Sequence, residues 1–426
     1  MEMLILFGCV LALVLLNMPI AVALGVVAVA AIWIVQGTAS LPNLPIVLYN
    51  AATNFPLLAI PLFILAGAIM NNSGISRRLI TFASALLGFV RGGLAMVNIG
   101  TAMFFAEISG SAVADVAALG SVLMPAMKKK GYPGPFTAAV TSSAASLAII
   151  IPPSIPMILY AVMSDASVVQ LFVAGIIPGI IGGLLMMGLS YWYAVRYNWP
   201  IEEAFDLGNV WKAFKGAALA FLLPIIILGG IFGGIVTATE GAGLAVVAAI
   251  GVAAWYHEME WKLLWHAIID GAVQTAVVML LVASSALLGV YLTEAQVPQQ
   301  LAEFIIGLTN NQWVVLALMN VFFLAVGLFL HSAAAIILVV PIVMPVVTAV
   351  GIDPVHFGLI VTLNLAIGQQ TPPVASVLMT ACSIAKENVW DVTKANLGFI
   401  GVLLLVLLLV TYVPAVPMSL VHFFYG

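Results

Sequence analysis

Long apolar runs, punctuated by a few polar residues, set the rhythm of this chain. Residues 54–70, 218–236 and 398–413 contain no charged side chain. Such runs approach the roughly 20 residues a helix needs to cross bilayer hydrocarbon. The short alternating segments of a transmembrane barrel are missing. The pattern therefore predicts an all-α polytopic membrane protein. Spans are expected near 3–17, 20–36, 54–72, 134–163, 168–195, 216–236, 239–256, 271–292, 356–385 and 398–418. Two amphipathic stretches, 75–90 and 296–309, are expected to lie along the membrane surface.

Basic residues near span ends favour the cytoplasm, and the chain has only twelve: Arg77, Arg78, Arg91, Lys128, Lys129, Lys130, Arg196, Lys212, Lys215, Lys262, Lys386 and Lys394. All are placed inside. Segment 92–127 then has both flanks on the cytoplasmic side, while its middle is broken by "EISGSAVAD" at 107–115. Each half holds only about fifteen residues, short for a crossing. A re-entrant hairpin that turns at mid-membrane is expected; two ordinary spans with "SGS" outside are the alternative. Segment 312–352, centred on "GLFLHSAAA" and without a flanking Lys or Arg, is expected to be a second hairpin entering from the opposite side. On this path both termini are periplasmic.

The two halves share their punctuation. Pro125 pairs with Pro345, Gly131 with Gly351, and Pro152–Pro153 with Pro372–Pro373, each 220 residues apart. Upstream, "GSA" at 110–112 pairs with "HSA" at 331–333, at 221. With the charge placement, this predicts two inverted-topology repeats, an architecture many secondary transporters use. The first repeat is 1–200, with hairpin 92–127 and a broken helix over 134–163. The second is 201–426, with hairpin 312–352, a broken helix over 356–385 and the final span.

Each proline pair breaks its helix. Proline lacks an N–H and clashes with the carbonyl four residues earlier. The carbonyls of Ala148, Ile149 and Pro152, and of Gly368 and Gln369, are expected to come free. Bare carbonyls in lipid are costly, so such backbone must face protein or a polar cavity. The hairpin tips add helix ends: carbonyls at the end of one arm, N–H groups at the start of the next. Ser109, Ser111 and Ser332 add hydroxyls. Two cation sites, one per repeat, with an anion held between them are expected; two plain proline kinks are the alternative. Asp115, in the first turn of the returning arm, either compensates the helix dipole or orients the site. Glu107 either caps or meets cytoplasmic water, Glu240 is placed near the periplasmic surface, and His331 either titrates or is hydrogen-bonded. "WYHEMEWKLLWH" at 255–266 is expected to be an interface helix.

Composition narrows the function classes. Charged residues are 7% and hydrophobic residues 64% of the 426, with mean hydropathy +1.24. The net charge of −4 says little about partners, and without a basic patch no nucleic-acid partner is expected; lipid is the surround. With only Cys9 and Cys382, neither a disulfide framework nor a cysteine metal site is expected. No GxxxxGK[ST] loop is present, so ATP hydrolysis is not expected. No Ser/His/Asp constellation or spaced histidines support an enzyme.

"AEISGSAVADVAALGSVLMPAMKKKGYP" followed by "IIIPPSIPMILYA", with "GQQTPPVASVL" later, resembles the large membrane (M) subunit of tripartite ATP-independent periplasmic (TRAP) transporters, the DctM type. The resemblance spans essentially the whole chain. It implies a bacterial inner-membrane importer of an organic acid anion, sialic acid or a C4-dicarboxylate, and leans to the sialic-acid branch. It implies a periplasmic substrate-binding protein, a small four-helix membrane subunit as separate partner, an elevator-type movement and Na+ as coupling ion. The first Na+ site carries over to Ser109, Gly110, Ser111, Ala148, Ile149, Ile151, Pro152 and Pro153. The second carries over to Gly327, Ser332, Gly368, Gln369, Thr371, Pro372 and Pro373. The substrate falls to Ser111, Asp115 and Thr371. A stand-alone dicarboxylate transporter or a channel of the same hairpin architecture are the competing readings. Single cysteines at Ser111 and Ser332 should resist impermeant thiol reagents from the side opposite each hairpin's entry. Full labelling from that far side would make both turns ordinary loops.

Overall fold

The computed structural model describes residues 2–16, 18–199, 201, 205–257 and 261–426. Among these the regular structure is helical, apart from one isolated bridge between Arg91 and Ile201. The first five helices are α1 (Glu2–Leu15), α2 (Ile20–Gln36), α3 (Leu44–Ala52), α4 (Ala59–Asn72) and α5 (Ile75–Leu87). The first hairpin follows as α6 (Gly93–Ser109) and α7 (Ala112–Lys129), and the first broken helix as α8 (Gly134–Ala145) and α9 (Ile155–Ser164). Then come α10 (Val168–Arg196), α11 (Leu207–Phe232), α12 (Ala238–Trp255), α13 (Trp261–Glu294) and α14 (Val297–Leu308). The second hairpin is α15 (Gln312–Phe329) and α16 (Ser332–Ala349); the second broken helix is α17 (Pro354–Gly368) and α18 (Ser376–Ala385). The chain closes with α19 (Val389–Tyr412) and α20 (Ala415–Tyr425).

Among the described residues, seven helices are long and apolar enough to cross a membrane. An eighth span arises if Thr38–Ala52 and Phe55–Asn71, bent by 58°, count as one. The chain is a multi-pass membrane protein. Both hairpins lie where the sequence pattern placed them, but their arms are longer than about fifteen residues: 17 in α6 and 18 in each of α7, α15 and α16. At 1.5 Å per residue that is about 27 Å, so arm length alone does not make the turns re-entrant. Docking does. The N–H of Ile155 reaches the carbonyl of Gly110 at 3.4 Å, and that of Val374 reaches Leu328 at 3.2 Å. Each tip thus meets the middle of a broken helix rather than its end.

Several boundaries differ from the sequence reading. Helices α11 and α13 begin nine and ten residues earlier than expected, and α19 begins nine earlier and ends at Tyr412. Segment 38–52, left unassigned, forms a six-residue 3-10 turn and α3. The 255–266 run is not one interface helix: α12 ends at Trp255, His257 takes φ 53°, and α13 restarts at Trp261. Residues 258–260 of that run lie outside the described ones.

Two packed groups result. Helices α2, α3 and α4 pack on α13, and α12 packs on α4 and α11. The other group is built on the broken helices. Residues 136–145 of α8 and 355–368 of α17 are buried throughout, their polar side chains included. The halves interdigitate: α7 and α8 pack on α18, while α16 and α17 pack on α9. At one end of this weave Lys128 Nζ bonds Ala385 O at 2.6 Å and Glu387 Oε1 at 2.5 Å. The amphipathic α5 and α14 join the groups, α5 between α11 and α6 and α14 between α13 and α16.

Contact between the second hairpin and its broken helix requires two glycines. A Cβ on Gly368 would lie 2.5 Å from Gly327 Cα, while one on Gly327 would lie 3.1 Å from Gly368 Cα. Overpacking typically costs about 1–3 kcal/mol. Gly368→Ala should therefore lower the melting temperature in detergent more than Gly327→Ala. Gly401→Ala, with nothing within 4 Å of its Cβ, should be near neutral. Equal melting for all three would contradict this packing.

Candidate functional site

Each proline pair does what its chemistry dictates. Helix α8 tightens into a 3-10 turn over Ser146–Ile149, and α9 restarts at Ile155 behind an N-cap serine, Ser154. The second break runs from Gln369 to Ala375, where Ala375 takes φ 41° before α18. The Pro152–Pro153 and Pro372–Pro373 peptides are both cis.

The freed carbonyls are largely re-engaged. Ser154 Oγ donates to Ile149 O at 2.6 Å. Gly368 O accepts from Thr371 N at 3.0 Å, and Gln369 O from Val377 N at 3.2 Å. A carbonyl has two lone pairs, so Ile149 O and Gly368 O retain capacity for a second partner, whereas Gln369 O also accepts from Leu378 N at 3.4 Å.

The first hairpin tip closes on the first break. Gly110 takes φ 58°, and a Cβ there would sit 2.9 Å from Pro153 O. Ser111 is the extended N-cap of α7, with Asp115 fully buried in the first turn. The carbonyl ends of α6 and α8 and the N–H ends of α7 and α9 therefore converge. This arrangement presents partial negative charge to a cation and partial positive charge to an anion. Residues Ala148, Ile149, Ile151, Pro152 and Pro153 are all buried beside it. The backbone of Ser109 ends α6; its side chain lies outside the described ones.

The second tip differs in exposure. Gly327 meets Gly368, and Ser332 and Gln369 are buried, but Thr371 and Pro372 are half-buried and Pro373 is exposed. Thr371 Oγ1 donates to Ile367 O at 3.0 Å, within its own helix turn. The N-cap of α16 is His331, whose Nδ1 accepts from Ala333 N at 3.4 Å. His331 thus occupies the place of Ser111, at the same 220-residue offset as the proline pairs, and Ser332 matches Ala112. The tips align one residue away from the sequence pairing. Glu240 forms a capping box with Thr237 at the start of α12.

A buried amide joins the two breaks. Gln370 Nε2 donates to Ser142 O at 2.7 Å and to Ser146 Oγ. Its Oε1 accepts from Asn396 Nδ2 at 3.2 Å, and Asn396 Oδ1 accepts from Ser143 Oγ at 2.6 Å. All five residues are fully buried. Sequence reasoning passed over them, although "SSAAS" at 142–146 and "GQQ" at 368–370 put polar groups into apolar runs. Each hairpin is also pinned laterally, by Asn98 to Thr141 at 2.7 Å and by Asn364 to Asn320 at 2.7 Å. A cavity of about 380 Å³ beside the first break is lined by Met103, Glu107, Ile151, Pro152 and Ile176 among others. Its one charged group is a carboxyl, a poor match for an organic anion.

Residues 7–416 match the sequence profile of the tripartite ATP-independent periplasmic transporter, DctM component. The chain belongs to this DctM family. It is similar to the isethionate TRAP transporter permease protein DctMQ of Oleidesulfovibrio alaskensis, at 39% identity over 97% of the chain. The chain spans 65% of the length of that relative. It is similar also to the C4-dicarboxylate TRAP transporter large permease protein DctM of Rhodobacter capsulatus, at 33% identity over 99% of both chains. The YdaH transporter of Alcanivorax borkumensis, whose crystal structure is described as having an unusual topology, shares the fold. Its TM-score is 0.64 at 14% identity, over 91% of this chain and 90% of that one. With its family and its near full-length match to large permease proteins, the chain is a large permease subunit.

Removing the Gln370 amide should be felt across both breaks of the DctM chain. Each buried polar group left unpaired costs about 1–3 kcal/mol in soluble proteins, whereas interhelical bonds in bilayers average about 0.6 kcal/mol. With three bonds lost, Gln370→Leu should destabilise by about 2–3 kcal/mol, read as a lower thermal midpoint in detergent. A wild-type midpoint would mean the network holds nothing together.

Proposed function

We propose that this chain is the large membrane subunit of a Na+-coupled importer of organic acid anions in the bacterial inner membrane. One observation carries the reading: each of two broken helices is roofed by a hairpin tip, so that carbonyl-rich and N–H-rich helix ends converge twice. The first Na+ sits among Gly110, Ser111 and the 148–153 backbone, and the second among Gly327, Ser332 and 368–373. The anion lies against the N–H ends, with Ser111 and Thr371 as contacts and Asp115 as the orienting carboxylate. Residues 1–200 and 201–426 act as inverted repeats, and the group around the broken helices moves against the other as an elevator. A periplasmic binding protein delivers the substrate, and a small four-helix membrane subunit braces the large one.

The substrate class rests on the relatives. Their names give C4-dicarboxylate, isethionate and 2,3-diketo-L-gulonate as cargo, all small organic anions. A binding protein and a small subunit are what the family description, a tripartite periplasmic transporter, calls for.

The test is uptake into proteoliposomes containing the large and small subunits, with binding protein added outside. Succinate and isethionate serve as labelled substrates. Uptake should need an inward Na+ gradient, and preloaded vesicles should show counterflow, which a channel does not. Ser111→Ala and Ser332→Ala should each raise the Na+ concentration for half-maximal uptake about tenfold, the equivalent of about 1.4 kcal/mol. If neither variant changes the Na+ dependence, the ion sites lie elsewhere.

A further inference from the structure

The depth of α13 in the membrane can be read from its neighbours. Helix α12 has 18 residues, about 27 Å, which matches the hydrocarbon thickness. At one end Thr239 Oγ1 bonds Phe55 O at 3.2 Å, beside the Thr237–Glu240 capping box. At the other the Arg78 guanidinium sits 3.8 Å over the Tyr256 ring. Phe55 through α4 to Asn72 therefore crosses the same layer. Gly271 of α13 lies against the middle of that crossing, where its Cβ would be 3.7 Å from Ile64 Cγ2 and 3.8 Å from Leu65 Cα.

Asp270 is the neighbour of Gly271, so it stands near mid-depth. It is exposed on the outer face of α13, and no hydrogen bond or ion pair to it occurs among the described residues. Gln274, one turn on, is exposed too. Around them Val273 and Val277 are 59% and 60% exposed. An acid and an amide at i and i+4 on an otherwise apolar outward stripe do not suit bare lipid. Intramembrane acids pair with something.

This chain cannot supply the counter-charge, even from a second copy. Its basic residues sit on surface α5, in loops, in the end turns of helices, or in the first turns of α11 and α19 (Lys212, Lys215 and Lys394). Lys212 and Lys215 lie toward the membrane edge that Tyr256 marks, because the Tyr256 hydroxyl donates to Gly216 O at 3.0 Å. A two-fold axis through the stripe would also bring Asp270 against Asp270. We propose that the Trp265–Leu280 face of α13 docks the small membrane subunit, whose facing helix brings a Lys, Arg or paired hydrogen-bond donors to Asp270 and Gln274. The inference deepens the proposed function, which names that subunit, by assigning it a face and a chemistry.

The test co-expresses the tagged large subunit with its small subunit and measures how much of the latter is recovered in detergent. Asp270→Leu should recover at least tenfold less, and Asp270→Glu close to wild type. A photo-crosslinking amino acid in place of Val277 should capture the small subunit, while one in place of Leu405, 61% exposed on α19, should not. The crosslink needs no loss of folding, so it decides the matter if Asp270→Leu is misassembled. Crosslinks from 277 to lipid only, or to a second copy of this chain, overturn the docking face. So does undiminished recovery with Asp270→Leu. If the wild-type chain retains no small subunit, the partner falls from the proposed function and this face with it.

Discussion

A main chain that leaves its helix inside a membrane must find hydrogen-bond partners from protein, because lipid offers none. That constraint organises this molecule. Two helices are broken at proline pairs, and everything near them answers the exposed backbone. Ser154 turns back onto Ile149 O. Each hairpin carries a carbonyl to the N–H that restarts or precedes the second half-helix. Gln370 reaches from one break to the serines of the other. The breaks persist because their polar groups find partners within the protein, most in the same half and some across the two.

Much of this was legible in the chain because prolines, glycines and charges are rare markers in an apolar background. "EISGSAVAD" and "GLFLHSAAA" located both tips, and the repeated proline pair located both breaks. The offset between tips was misread by one residue, because serine was matched to serine when the structural equivalence is N-cap to N-cap, Ser111 to His331. Residues 38–52 were missed because Pro42, Pro45 and a short apolar run resemble a loop. Charged residues at 212, 215, 262 and 270 made α11 and α13 look shorter than they are.

The candidate sites were half legible. Proline predicts which carbonyls lose their helical partner but not who replaces it. The recapture of Ile149, Gly368 and Gln369 carbonyls depends on how the chain refolds after the break. The Gln370–Asn396–Ser143 link joins residues 26 and 253 positions apart. No local pattern encodes that pairing. The two half-sites also differ in enclosure, the first buried but for half-buried Ser111 and the second with Pro373 and Val374 at the surface, which only a three-dimensional arrangement can reveal.

Lys128 gives this interlocking a mechanical meaning. It ties the end of the first hairpin to the end of the second broken helix, and the Gln370 amide ties the middles of the two broken helices. Fastened at two heights, the two broken helices are held in one register, so a shift of one against the other must first break both ties.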